Sequence, residues 1–292
     1  MKRIRTVAAL PTLFTLGNLI CGFFAIVVAS RIPAGSLEPI KEAPTIAIHN
    51  PANFVAAFDP DNPTHNVVLA AWLIFLAMIF DALDGHVARL AKTTSDFGAQ
   101  LDSLCDCVTF GVAPAFLMVK MCPDFTYLHR EAMWIIAAAF VACAAMRLAR
   151  FNVEVDDNDD HYTFTGLPSP AAAGCIASFA ILFYTLRREG NAFTHAADID
   201  WYMRRFLPAF TLVLAALMVS RIPYPHVVNQ LLSGQRSLGH IVAILFSLVI
   251  IISIQGYSVP IICCLFVLGP PLRYAWQRWR NRQQQEEAEP LF

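Results

Sequence analysis

Long apolar stretches recur along this chain of 292 residues, and they constrain its fold more than any other feature. Several reach about 20 residues, the length that a helix needs to cross the hydrocarbon core of a bilayer. Only 15% of the residues are charged, whereas soluble domains carry roughly 25%. The pattern therefore predicts an all-α, polytopic membrane helix bundle and argues against a soluble protein.

Eight membrane spans can be placed by hydropathy. They lie at about 7–29, 67–86, 101–121, 131–151, 169–186, 204–221, 238–255 and 257–274. Only a few residues around Gly256 separate the last two, so this end of the chain is either a tight helical hairpin or contains a re-entrant segment. Residues 1–279 then form one transmembrane domain with an extracytoplasmic loop at 30–66, and the Gln- and Glu-rich tail at 280–292 is predicted to be cytoplasmic and disordered.

The distribution of lysine and arginine predicts the orientation of the chain. With the N-terminus inside, thirteen of the 21 basic residues fall in the inner segments, as the positive-inside rule requires. Both termini and residues 87–100 then face the cytoplasm, and we expect a multi-pass protein of the inner, cytoplasmic membrane of a bacterium. The net charge of −1 and the scattered basic residues indicate membrane lipid, and not nucleic acid, as the partner.

Four aspartates interrupt the apolar pattern at neighbouring helix ends. Asp81 and Asp84 close one apolar run, and Asp102 and Asp106 open the next. A carboxylate in a spanning segment costs at least about 2–3 kcal/mol unless it has a partner or lies in a watery cavity. Because the spacings of three and four residues put each pair on one helical face, and the connection is short, the four carboxylates are expected to converge.

Converging carboxylates predict bound divalent cations, because four unshielded negative charges would repel one another. Oxygen ligands without histidine or thiolate favour Mg²⁺ or Mn²⁺, with Ca²⁺ as an alternative. Two metal ions bridged by carboxylates are a common device in phosphoryl transfer, where they hold phosphate oxygens. The cluster therefore predicts two divalent cations and a phosphate-containing substrate.

Two glycines and an arginine lie beside these aspartates. Gly85 and Gly98 allow a ligand to approach the backbone, as phosphate-binding turns require. Arg89 offers a planar cation for a diphosphate. Each residue also has a simpler explanation, since the glycines can serve helix packing and the arginine can extend to the membrane interface.

These residues together form a recognisable string. It reads Asp81-x2-Asp84-Gly85-x2-Ala88-Arg89-x8-Gly98-x3-Asp102-x3-Asp106. This resembles, without a departure, the signature D-x2-D-G-x2-A-R-x8-G-x3-D-x3-D of the CDP-alcohol phosphatidyltransferase family. The flanking spans fit the six-helix membrane core of that family, and two further spans follow it.

The resemblance implies an enzyme that binds a CDP-linked lipid at two divalent metals and transfers its phosphatidyl group to an alcohol, releasing CMP. By position, the four aspartates would be metal ligands, and Asp106 would also be the general base. The CDP-lipid pocket would be formed by Asn18, Asp84, Gly85, Ala88, Arg89 and Gly98. For Asn18 an interhelical hydrogen bond is an equal alternative. The resemblance also implies a homodimer.

Further strings resemble the branch of this family whose acceptor is L-serine, giving phosphatidylserine. They lie at 102–106 with 110–114, at 147–152, at 164–170 and at 222–225. Serine has a carboxylate that Arg147 or Arg150 can bind in bidentate fashion, and Arg150 is the preferred candidate, with Asn152 and Ser169 as partners. Both arginines would equally satisfy the positive-inside rule, bind lipid phosphate or meet a phosphorylated acceptor.

Two other functions compete with this interpretation. A sister phosphatidyltransferase would share the metals and the donor but use glycerol 3-phosphate or inositol (phosphate) as acceptor. A cation or proton transporter would also carry intramembrane aspartates. It would place them on several helices near the bilayer midplane, however, whereas these four lie at the ends of two consecutive helices.

Overall fold

A computed structural model describes residues 9–33, 36–37, 61–91, 96–122, 130–156, 166–188, 195–224 and 255–288. In chain order the elements are α1 (Ala9–Ser30), α2 (Pro63–Ala91), α3 (Asp96–Asp106), a π-helical turn (Cys107–Val112), α4 (Ala113–Met121), α5 (Arg130–Asp156), α6 (Ser169–Arg188), α7 (Ala196–Val219), a 3₁₀ turn (Gln255–Tyr257) and α8 (Ser258–Ala288). Within the described residues, seven helical segments are long and apolar enough to cross a membrane, and α3, the π-helical turn and α4 together form one of them. The predicted all-α, multi-pass membrane bundle is confirmed.

Seven of the eight predicted spans coincide with these segments, and the predicted span at 238–255 lies outside the described residues. Three helices, α2, α3 and α7, begin four or more residues earlier than predicted. α2 begins at Pro63, because proline is favoured in the first helical turn, where its missing N–H costs nothing. α7 begins at Ala196 and thus includes polar residues that hydropathy assigns to a loop.

The C-terminal helix departs from the prediction in its length. Residues 280–288 were predicted to be disordered, but α8 continues through them to Ala288. Arginine, glutamine, glutamate and alanine are good helix formers, and extending an existing helix requires no new nucleus. A polar composition alone therefore did not predict the end of this helix.

Small residues bring the helices of the bundle together. α1 lies along α2, and Ala25, Ala29, Ala70 and Ala71 of these two helices are almost completely buried. Close approach of backbones through alanine and glycine is the usual way in which membrane helices pack. α6 is the most enclosed helix, with 78% of its span buried against neighbours that include α2, α7 and α8.

Polar contacts tie four helices together at one end of the bundle. This end contains Asp81, near the end of α2, and Asp102 and Asp106 on α3, and we call it the aspartate end. α1 contacts α3 there, and the last turns of α5 contact both α3 and the start of α6. These helices thus bring the predicted site residues into one region.

Candidate active site

Three of the predicted metal ligands converge in the folded chain. Asp81, Asp102 and Asp106 each offer a carboxylate oxygen, and these oxygens lie within 4.8 Å of one another. Asp106 is buried, and the other two are half-buried. These three residues, which lie on two separate helices, meet as their helical spacing predicted. The group can hold a metal ion.

Asp84 lies beside this group without belonging to it. It is close enough to Asp81 and Asp102 for electrostatic repulsion. Its side chain is buried and is hydrogen bonded to Thr15 of α1, while its Oδ2 has no hydrogen-bond partner among the described residues. Oδ1 of Asp102 is likewise buried without such a partner. Buried carboxylate oxygens without donors fit a site for a cation.

Asn18 connects the first helix to the carboxylates. Its Nδ2 donates a hydrogen bond of 2.9 Å to Oδ1 of Asp106, and both side chains are buried. The hydroxyl of Thr109 donates to the backbone oxygen of Asn18 over 3.2 Å. Thr109 lies in the π-helical turn that directly follows Asp106, and such turns are frequent at functional sites. The interhelical hydrogen bond is thus present and lies at the cluster itself.

Of the two signature glycines, the structure describes the surroundings of Gly85 more fully than those of Gly98. Gly85 is exposed, and a Cβ added to it would meet nothing within 4 Å. Helix packing among the described residues therefore does not require a glycine at this position. The missing side chain leaves open space beside Asp84. Gly98 lies in the first turn of α3 and is half-buried. Ala88 and Arg89 lie on α2, but their side chains are outside the described residues.

Arg147 faces the carboxylates from α5. It is close enough to Asp81 and Asp106 for electrostatic attraction. Its Nη1 donates to the hydroxyl of Ser169 over 2.9 Å, and Ser169 is fully buried at the start of α6. Nε of Arg147 is buried and has no hydrogen-bond partner among the described residues. Arg147 thus has a donor left for a further ligand beside the aspartates.

Arg150, one turn later, contacts a different part of the bundle. Its guanidinium donates to the backbone oxygens of Val219 and Ser220, at 3.2 and 3.4 Å, where α7 ends. It also lies beside Gly166, whose backbone φ of +93° is rarely adopted by residues other than glycine. A cation at the carbonyl end of a helix stabilises that end. These contacts favour a positioning role for Arg150.

Asn152 contacts α3 instead of Arg147 or Ser169. Its Nδ2 donates to the hydroxyl of Ser103 over 2.9 Å, next in the chain to Asp102. Sequence reasoning did not identify Ser103, and a lone serine beside an aspartate carries no signal. It also overlooked Thr15 as a partner of Asp84. Its position three residues before Asn18, on the same helical face, was the available signal.

The arrangement combines what transfer of a charged group requires. Carboxylate oxygens are the ligands that hard divalent cations prefer. Asp106 combines burial with a fixed orientation, as a proton acceptor needs. Arg147 supplies a half-buried positive charge close to Asp81 and Asp106.

Comparison with known proteins agrees with this chemistry. Residues 8–221 match the family model described as CDP-alcohol phosphatidyltransferase. The CDP-diacylglycerol--serine O-phosphatidyltransferase of Helicobacter pylori (strain ATCC 700392 / 26695) is 34% identical over 219 residues, covering 74% of this chain and 81% of the relative. Proteins of the same name from Methanocaldococcus jannaschii and Bacillus subtilis (strain 168) are 37% and 30% identical. They cover 54% and 74% of this chain and 65% and 90% of their own lengths.

The family match contains all four aspartates of the signature and the helices that position them. α8 lies beyond it. The predicted resemblance is thus confirmed over most of the chain, and the chain belongs to the CDP-alcohol phosphatidyltransferase family of membrane transferases.

Proposed function

We propose that this protein transfers the phosphatidyl group of CDP-diacylglycerol to the hydroxyl of L-serine, giving phosphatidylserine and CMP. The observation that carries the proposal is the placement of a half-buried arginine, Arg147, against the carboxylates of Asp81, Asp102 and Asp106. The carboxylates suit a metal-bound diphosphate, and the arginine suits the carboxylate of an amino acid acceptor. Three relatives named for serine transfer support the choice of acceptor.

The donor set fits divalent cations. Asp81, Asp102 and Asp106 would hold one ion, and Asp84 with Asp102 would contribute to a second, since both have a buried oxygen without a donor. We propose Mg²⁺ or Mn²⁺ because every ligand is a carboxylate oxygen, with Ca²⁺ as an alternative. When bound, such ions would offset the charge of the diphosphate and stabilise the leaving CMP.

Asp106 would take the proton from the attacking hydroxyl. The serine oxygen forms a bond to the phosphorus that carries diacylglycerol, the bond from this phosphorus to the CMP oxygen breaks, and the proton passes to Asp106. Asn18 holds one oxygen of this carboxylate and leaves the other for the acceptor. Direct attack predicts inversion at phosphorus, whereas net retention would require a covalent intermediate and overturn this step.

The acceptor would lie between Arg147 and the carboxylates. Nε of Arg147 is the donor available to the carboxylate of the acceptor. The hydroxyl of Ser169 accepts a hydrogen bond from Nη1 and thereby fixes the guanidinium. Arg150 and Asn152 would act on the acceptor through their neighbours, since the guanidinium of Arg150 contacts the end of α7 and the amide of Asn152 contacts α3. Gly85, Ala88, Arg89 and Gly98 remain the proposed walls of the cytidine diphosphate pocket.

The proposal includes an orientation and an assembly. The excess of basic residues in the segments at the aspartate end supports a site that opens to the cytoplasm at the inner membrane. A homodimer is proposed from the family resemblance alone. Cysteine accessibility at the two ends of the bundle and the mass of the purified protein in nanodiscs test these two points.

The first experiment measures CMP release from CDP-diacylglycerol by the purified full-length protein with Mn²⁺ or Mg²⁺. L-Serine, glycerol 3-phosphate and myo-inositol are compared as acceptors, and the lipid product is identified by mass spectrometry. We expect release that depends on serine and is lost in Asp106→Asn. Asp198→Asn is the matched control, because Asp198 is an exposed aspartate at the far end of the bundle.

The acceptor site is tested with arginine variants. Arg147→Lys is expected to raise the KM for serine by about 10-fold to 100-fold, the loss of one or two hydrogen bonds to a charged group, and to leave the KM for CDP-diacylglycerol unchanged. Arg205→Lys is the control, because Arg205 is exposed on α7 and stacks on Trp201. Activity with glycerol 3-phosphate or inositol alone would retain the family and refute the acceptor. No CMP release with any acceptor would favour ion transport.

A further inference from the structure

The C-terminal helix is too long to lie within the membrane. α8 runs over 31 residues from Ser258 to Ala288, which at about 1.5 Å per residue is roughly 46 Å. The hydrocarbon core is only about 30 Å thick. A helix that enters the core at Ser258 therefore leaves it near Gln277, and its last turns lie outside.

Contacts at both ends show on which side α8 emerges. Its start lies beside the end of α6, where Gly256 packs against Thr185, far from Ser169. Further along, the hydroxyl of Tyr224 donates to the backbone oxygen of Val267 over 2.9 Å.

Tyr224 follows the end of α7, which Arg150 joins to the aspartate end. α8 therefore runs from the far end of the bundle toward the aspartate end. The emerging part of α8 lies on the same side of the membrane as the candidate active site.

Residues 272–282, on either side of the point where α8 leaves the core, have the composition of a segment at the membrane interface, and we call them the juxtamembrane helix. Its aromatic residues are Tyr274, Trp276 and Trp279, and its basic residues are Arg273, Arg278, Arg280 and Arg282. Trp276 and Trp279 are 64% and 58% exposed. Aromatic rings of this kind favour the level of the lipid headgroups. No acidic residue follows Ser258 until Glu286, so the positive charge of this helix has no counter-charge within it.

A shallow groove on this helix combines both features. It is lined by Leu272, Arg273, Trp276 and Gln277. Leucine and tryptophan side chains suit the upper part of an acyl chain, and a guanidinium suits a phosphate above it. The groove lies outside the family match.

We propose that the juxtamembrane helix binds the headgroups of anionic phospholipids in the leaflet that the aspartate end faces. Charge complementarity selects this occupant, because clustered arginines beside a membrane are attracted to an anionic surface, by about fivefold in affinity for each one. The proposed donor lipid is itself anionic, so the helix would also concentrate it beside the site. Only this consequence rests on the proposed function.

Tryptophan fluorescence tests the binding without any turnover. The full-length protein with Trp72, Trp134 and Trp201 replaced by Phe keeps Trp276 and Trp279 as reporters. It is placed in nanodiscs that contain phosphatidylcholine and phosphatidylglycerol, and either lipid is supplied with brominated chains at an equal mole fraction. We expect stronger quenching by the brominated phosphatidylglycerol, and we expect high salt to weaken the difference.

Two matched variants decide the role of the arginines. Replacement of Arg273, Arg278 and Arg280 by Gln should remove the preference for the anionic lipid, and replacement by Lys should retain it. These side chains are exposed, so thermal unfolding should be unchanged in both variants. Equal quenching by the two lipids in the parent protein, or a preference that persists in the Gln variant, would overturn the proposal. CMP release, measured in parallel, reports separately on the catalytic function.

Discussion

The side chain of Asn18 on the first helix donates a hydrogen bond of 2.9 Å to the carboxylate of Asp106 on α3. Both residues are buried, and Asp106 is also one of the three carboxylates that can share a metal ion. The first helix is therefore part of the candidate site and not only a membrane anchor. Its amide helps to fix the orientation of the Asp106 carboxylate.

Removal of this amide should lower turnover more than binding. We expect Asn18→Ala to reduce kcat by about 10-fold to 100-fold, because a hydrogen bond to a charged group contributes about 1.5–3 kcal/mol and the carboxylate loses its orientation. The KM for CDP-diacylglycerol should change little. Steady-state CMP release measures both constants. Leu16→Ala is the control, since Leu16 is exposed on the same helix, and an equal loss in both variants would contradict the role of Asn18.

Gly22 allows α1 to contact the π-helical turn. A Cβ at this position would lie 2.8 Å from Cα of Thr109, a backbone atom that cannot rotate away. Gly22→Ala should therefore destabilise the protein by about 1–3 kcal/mol and lower activity, because Asn18 lies one turn earlier. Thr109→Ala should not restore stability. Thermal unfolding in detergent measures the effect.

Gly17→Ala is the matched control for this substitution. A Cβ at Gly17, on the same helix as Gly22, would lie 3.4 Å from the ring of Phe80, an ordinary van der Waals contact. Alanine is preferred over glycine in a helix by about 1 kcal/mol, so this variant should be as stable as the parent or slightly more stable. Equal stability of Gly22→Ala and the parent would show that the two helices separate without cost.

The sequence was sufficient to predict seven of the spans and the convergence of three of the four aspartates. Apolar length identified the membrane helices, and helical periodicity placed Asp102 and Asp106 on one face. Asn18 was also identified beforehand, although its partner was not. These features depend on local spacing along one helix or on a short connection, which is information that a sequence carries directly.

The different contacts of Arg147 and Arg150 were not predictable from the sequence. The two lie three residues apart on one helix, and the sequence interpretation preferred Arg150 for the acceptor. Their different neighbours come from distant segments, Ser169 for one and the end of α7 for the other. The π-helical turn after Asp106 is similar, because its register depends on packing against α1.

Metal removal should reveal the repulsion among the carboxylates. Without divalent ions, Asp102→Asn is expected to be more stable than the parent by about 2–4 °C, because one of the clustered charges is gone. With Mn²⁺ the order should reverse, since the parent gains more from the bound ion. Thermal unfolding with chelator or with Mn²⁺, together with Mn²⁺ binding by electron paramagnetic resonance, tests this. The same order of stability in both conditions would exclude Asp102 as a ligand.

Asp200 should matter for stability and not for catalysis. It is fully buried on α7 and accepts hydrogen bonds from Arg187, at 2.8 and 3.2 Å, and from Arg204, at 3.2 Å. Arg204 also donates to the backbone oxygen of Leu37. Asp200→Asn leaves two largely buried guanidinium groups without their counter-charge, which should cost about 3–5 kcal/mol.

α6 separates Arg187 from Ser169 by about 27 Å, so activity per folded molecule should be unchanged. Unfolding in a denaturing detergent and CMP release measure the two quantities. Asp198→Asn should alter neither, and loss of activity in folded Asp200→Asn would show that the two ends of the bundle are coupled.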